Sequence, residues 1–160
     1  MTDGDFTHWL DDCYTVERES LRSYGRATRS PHVPYASSRI IPRDTPVPPL
    51  MVADPVFKLA ARMLAEQIPD FNVGRLLHVS QTVRQVEPIR IGDVASLGAR
   101  ISDRVTRAGI DLFTVDCVVR VDGKTRIETS SVVAYAGGDE AGTDLVDAAA
   151  PGIVMHGAVL

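Results

Sequence analysis

The spacing of apolar positions changes period once along the chain, near Asn72-Val73-Gly74. Before that point Val56, Leu59, Ala60, Met63, Leu64 and Ile68 fall at i, i+3, i+4, i+7, i+8 and i+12, the stripe of an amphipathic helix. Asp54 stands where an N-cap would, Pro55 suits the first helical position, and Pro69 stops the run. A shorter segment, Val16 to Thr28, places Leu21, Tyr24 and Ala27/Thr28 on one face and predicts a first helix. Between the two lie Pro31, Pro34, Pro42, Pro46, Pro48 and Pro49. Each proline fixes its own φ and pushes its predecessor out of the α region, so this stretch is expected to be extended and irregular.

Beyond Gly74 the period is two. Leu77, Val79, Gln81 and Val83 alternate with His78, Ser80, Thr82 and Arg84, which puts His78 on the face of Ser80 and Thr82 in a structural role. Ala95, Leu97, Ala99, Ile101 and Val105 form a second run, Phe113, Val115, Cys117, Val119 and Val121 a third, and Ile127 to Tyr135 a fourth. Gly92-Asp93, Ala108-Gly109 and Asp122-Gly123 punctuate them as turns, Asp-Gly being a strong hairpin signal. Consecutive strands joined by such short turns are antiparallel. The predicted class is α+β, a long central helix packed on one face of a curved antiparallel sheet.

Composition narrows this further. With 160 residues, 44% hydrophobic and 24% charged, the chain suits one domain with a core of its own. Seventeen Lys+Arg against 21 Asp+Glu leave a net charge of -4, without the basic surplus of a nucleic-acid binder. No apolar run approaches the roughly 20 residues of a membrane span. The acidic start MTDGDFTHWLDDC lacks the pattern of a signal peptide, so a cytoplasmic protein is expected. Cys13 and Cys117 stand alone, and His8, His32, His78 and His156 are scattered, which predicts no metal site. Cys117, in FTVDCVVRV, reads as a small buried hydrophobe. Asp54 reads as the helix cap and Glu66 as a surface charge.

The run HVSQTVRQVEPIRIGD, from His78 to Asp93, resembles the MaoC-like (R)-specific hydratases and dehydratases, in which a Gln-bearing strand leads through a Pro turn and Gly-Asp into the next long strand. CYTVERESLRSYGRAT is similar to the opening helix of the N-terminal branch of that family, which contains the accessory subunits of the mycolic-acid (3R)-hydroxyacyl-ACP dehydratase. Val47-Pro48-Pro49-Leu50-Met51 is similar to the segment before their central helix. The resemblance spans Cys13 to Gly138 and implies a single hotdog fold over 13–138, preceded by a lead, 1–12, and followed by a tail, 139–160, that is flexible or docks on a partner.

The family's reaction is syn hydration of an enoyl thioester, or the reverse dehydration of a 3-hydroxyacyl thioester, on CoA or on an acyl carrier protein. It uses an Asp and a His as general acid and base, and backbone N–H groups at the central helix N-terminus to polarise the thioester carbonyl. Active members carry the pair in a Gly-Asp-x-Asn-Pro-x-His loop. Here the corresponding stretch reads Ala27-Thr28-Arg29-Ser30-Pro31-His32-Val33-Pro34-Tyr35, with no Gly-Asp, and Pro48-Pro49 replaces Ala-His-Gly before the helix. Two catalytic features are missing, so the resemblance implies a non-catalytic, substrate-binding subunit that pairs with a catalytic MaoC-like hotdog chain. An active hydratase, dehydratase or thioesterase with a rearranged site is the alternative, with His32, Tyr35 and Asp44 as its candidate residues; a hotdog scaffold protein is a third reading. Pro49, Met51, Phe57 and Met63 are the expected acyl-binding residues. No cofactor beyond the thioester is expected; a homodimer or heterodimer is, with an acyl carrier protein as a further candidate partner. Arg84, Arg90, Arg100, Arg104, Arg107 and Arg120 read as solvated strand or turn arginines, with phosphate recognition as their functional alternative.

Overall fold

A computed structural model describes residues 6–32, 35, 41–107 and 109–136 of the chain. The expected tail, 139–160, lies outside the described residues. In chain order the elements are β1 (His8–Thr15), α1 (Arg18–Ala27), a 3-10 turn (Pro49–Val52), α2 (Ala53–Gln67), a second 3-10 turn (Val73–Arg75), β2 (Leu76–Gln85), β3 (Val94–Arg107), β4 (Ile110–Val121) and β5 (Lys124–Ala136). The strands form one sheet in the order β1-β3-β4-β5-β2, antiparallel throughout. The sheet curves around α2, which is the hotdog architecture.

Packing follows from the two periods. Val56, Leu59, Met63 and Leu64 of α2 are buried against the inner face of the sheet, built from Ala95, Leu97 and Ala99, from Phe113, Val115, Cys117, Val119 and Val121, and from Ile127, Val133 and Tyr135. The proline-rich stretch is anchored where it is described: Ile41 and Val47 are buried, and Val47 N–H donates to Ile89 O at 2.9 Å. Asp122 and Gly123 both have positive φ, 51° and 71°, so Asp-Gly makes the tight β4–β5 turn that the sequence signals.

Three local features differ from the sequence reading. First, β1 is a strand that period-two counting does not detect, because HWLDDCYT carries an acidic pair in its middle and bulges there, with Asp12 at φ 45°. It begins at His8, inside the segment read as a lead. Its hold on the sheet is a close approach on the outer face: a Cβ at Gly98 would come within 2.9 Å of the Trp9 ring, and the Arg120 guanidinium lies over that ring, 4.5 Å from its centroid.

Second, α2 starts two residues earlier than the Asp54 cap implies. The 3-10 turn Pro49–Val52 runs directly into the helix, Val52 occupies the cap position, and the Asp54 carboxylate instead pairs with Lys58 Nζ at 3.0 Å. Third, β2 contains a bulge at Val79. Leu76, Leu77 and His78 pair with Tyr135, Ala134 and Val133, whereas Ser80 and Gln81 pair with Val132 and Ser131. The extra residue reverses the parity of the strand. His78 therefore shares the inner face with Leu76, Gln81 and Val83, and not the face of Ser80 and Thr82.

Candidate functional site

A cavity of about 300 Å³ lies between α2 and the β4-β5-β2 half of the sheet. Its roof is apolar: Val56, Phe57, Ala60, Ala61 and Leu64 of α2. The stripe offers only alanine at 60 and 61, which is what leaves the space open. Val115, Cys117, Ser131 and Val133 form the floor, Leu76, His78 and Gln81 of β2 the flank, and Ala53 and Asp54 the end at the start of α2.

The direction of the cavity is fixed by the chain that follows the helix. Phe71 stacks on Tyr135 with ring centroids 5.5 Å apart, and Asn72 N–H donates to the Tyr135 hydroxyl at 3.1 Å. Tyr135 is the register partner of Leu76, so the chain leaving α2 sits over the Leu76 end of β2. The Gln81–Ser131 pair lies further along the strand.

The floor is less apolar than its burial suggests. Burial pushes the Cys117 thiol up to about 12, with the neighbouring Thr129 hydroxyl opposing the rise and the nearby Asp116 adding to it. A thiol held protonated in this way is not a nucleophile at neutral pH. The Thr129 hydroxyl is buried beside the Cys117 sulfur with no hydrogen-bond partner among the described residues.

At the helix N-terminus, two backbone donors are already engaged within the chain. Met51 N–H donates to Pro48 O at 2.9 Å and Ala53 N–H donates to Leu50 O, while Pro48 and Pro49 have no N–H to offer.

Of the residues singled out from sequence, Phe57 lines the cavity. Met51 and Met63 are buried in the core, and Pro49 opens the 3-10 turn; none of the three is part of the lining. His32 and Tyr35 come together, their rings edge to face at 4.4 Å. Tyr35 packs against Gly25 of α1 and its hydroxyl donates to Pro46 O at 2.9 Å; burial raises the pKa of that hydroxyl. Asp44 is exposed and its backbone carbonyl accepts from the Arg90 guanidinium. Neither the His32–Tyr35 pair nor Asp44 contributes to the lining.

Glu66 accepts from or pairs with His8 Nε2 at 2.9 Å, tying the end of α2 to β1. Several arginines have cross-strand carboxylates: Arg84 with Glu128 at 2.7 Å, Arg100 with Asp116 at 3.1 Å and Arg104 with Asp111 at 2.7 Å. His78, Gln81 and Ser131 are polar lining residues to which sequence reasoning gave no role in the site. The signal for Gln81 was present in the strand motif; the signal for His78 was hidden by the bulge.

The family model for the FAS1-like, dehydratase domain region matches residues 6–134. The chain belongs to that family. No protein with a curated description matches it in sequence. Among solved structures it is similar to the C-terminally truncated HadBC (3R-hydroxyacyl-ACP dehydratase) complex from Mycobacterium tuberculosis, with a TM-score of 0.63 at 17% identity over 81% of this chain and 91% of that one. It is also similar to a MaoC-like dehydratase, with a TM-score of 0.70 at 20% identity over 95% of this chain, and it spans 48% of that longer chain. The ChsH1–ChsH2 complex from Mycobacterium tuberculosis gives a TM-score of 0.57 at 12% identity over 83% of this chain and 86% of that one. At these identities the likeness is one of fold. Among the described residues no helix is long and apolar enough to cross a membrane.

Proposed function

We propose that the chain binds 3-hydroxyacyl or enoyl thioesters in the cavity beneath α2 and serves as the substrate-binding, non-catalytic subunit of a dehydratase. On this reading a partner hotdog chain of the MaoC-like type supplies the acid–base pair. The observation that carries the reading is the cavity itself: an apolar roof and a partly polar wall, with His32, Tyr35 and Asp44 outside its lining. The engaged N–H groups of Met51 and Ala53, with two prolines before them, point the same way, since donors already used inside the chain are not free for a thioester oxygen.

A partner is favoured by the edge of the sheet. Among the described residues β2 is paired on one side only, and it exposes Leu77 and Val79, an apolar edge that a second sheet would cover. Two of the similar folds, HadBC and ChsH1–ChsH2, are complexes. The carrier is CoA or an acyl carrier protein, no further cofactor is needed, and a cytoplasmic location belongs to the same reading.

The test is hydration of octenoyl-CoA by the chain alone and with the catalytic hotdog protein recovered with it from its native host. Product is expected only from the complex, and is expected to vanish when the partner's Asp–His pair is changed. Turnover by the lone chain, lost in His32→Ala, would establish instead an enzyme with a rearranged site.

A further inference from the structure

An alkyl chain needs only apolar walls, yet one wall of this cavity is polar. The bulge at Val79 turns both His78 and Gln81 inward, and Gln81 pairs directly with Ser131 on the floor. His78 and Gln81 are three residues apart, which places their backbones roughly 7–10 Å apart along the strand. One thioester carbonyl cannot meet both. Gln81 and Ser131 lie on the side away from the Leu76 end, whereas His78 lies toward it, opposite Val133 and next in the flank to Leu76. A saturated chain lying from Ala53 toward Leu64 would present methylenes to His78 and strip water from it without offering a hydrogen bond. Desolvating polar groups without replacement partners disfavours such a ligand.

Resting on the thioester-binding reading above, we propose that the cavity selects acyl groups that carry a second oxygen function, hydroxyl or keto, further along the chain than the C3 position at which the family's reaction takes place. His78 is the residue that recognises that oxygen, and the Gln81–Ser131 pair faces the part of the chain nearer the thioester. The volume of about 300 Å³ sets a compact acyl group as the occupant. The preference is a matter of specificity: His78 contacts ligand but takes no part in bond making.

The experiment is calorimetric titration of the full chain with octanoyl-pantetheine and with 7-keto- and 7-hydroxy-octanoyl-pantetheines. The oxygenated thioesters are expected to bind about tenfold more tightly, the scale of one ligand hydrogen bond to a desolvated polar group. His78→Leu is expected to remove that preference, the oxygenated thioesters losing their advantage of about tenfold over octanoyl-pantetheine. His78 is exposed on an edge strand, so this variant should fold, and circular dichroism checks that. Ser131→Ala serves as the comparison: it should weaken all of the thioesters alike. Equal binding of saturated and oxygenated chains, or a preference that survives His78→Leu, would overturn the assignment of His78 while leaving thioester binding intact. If none of the thioesters binds, the reading of the cavity as a thioester site fails as well.

Discussion

Cys117 shows how far a single side chain is governed by its place in the sheet. It sits opposite Ala99 on β3 and Thr129 on β5, on the floor of the cavity, and its buried thiol is held neutral. Because the folded value is raised, its contribution to stability is fully present below the thiol's usual 9.0 and is lost as pH rises from there toward about 12. Thermal unfolding of the wild type should therefore fall more steeply with pH above that usual value than unfolding of Cys117→Ala, and parallel curves would refute the shift. Native Cys117 should also resist iodoacetamide at neutral pH. The sequence was legible at this residue, since FTVDCVVRV alternates cleanly and a small apolar thiol suits an inner position. It was not legible at His78, because alternation counts residues and a bulge adds one without changing their order. At Asp54 the reading erred for a different reason: cap preference is local, whereas the helix start was set by the preceding 3-10 turn.

Among the elements, α2 and the β3–β4–β5 meander were readable because α2 keeps its period throughout, β3 keeps its own as far as Ile101, and the turns carry glycine; beyond the β3 bulge Val105 is exposed. β1 was not readable, because its retention depends on Trp9 lying over Gly98, a contact between residues far apart in sequence. The element that matters most for assembly is β2. Its free edge and its exposed Leu77 and Val79, 50% and 55% accessible, suit strand pairing with another hotdog chain. The double variant Leu77→Lys, Val79→Lys should shift size-exclusion elution from dimer to monomer while the circular dichroism spectrum stays that of the folded chain. Elution of the wild type itself as a monomer, alone and with its partner, would remove this surface from the account.

For the whole molecule, fold and site are legible to different degrees. The hotdog fold follows from one helix and four strands that could be read in order, and adding β1 at the edge leaves that architecture unchanged. The site depends on a register shift and on two alanines that leave a helix face short, neither of which a list of chemically reactive residues would find. The central claim is that this chain holds an acyl thioester without transforming it. Its most direct test is one titration of the purified lone chain with octenoyl-CoA, following binding heat and hydration product in the same sample, beside Ala60→Phe, which fills the cavity. The account predicts saturable binding by the wild type, binding at least about tenfold weaker in the variant from the lost space, and no product from either. Hydration product from the wild type alone would contradict it.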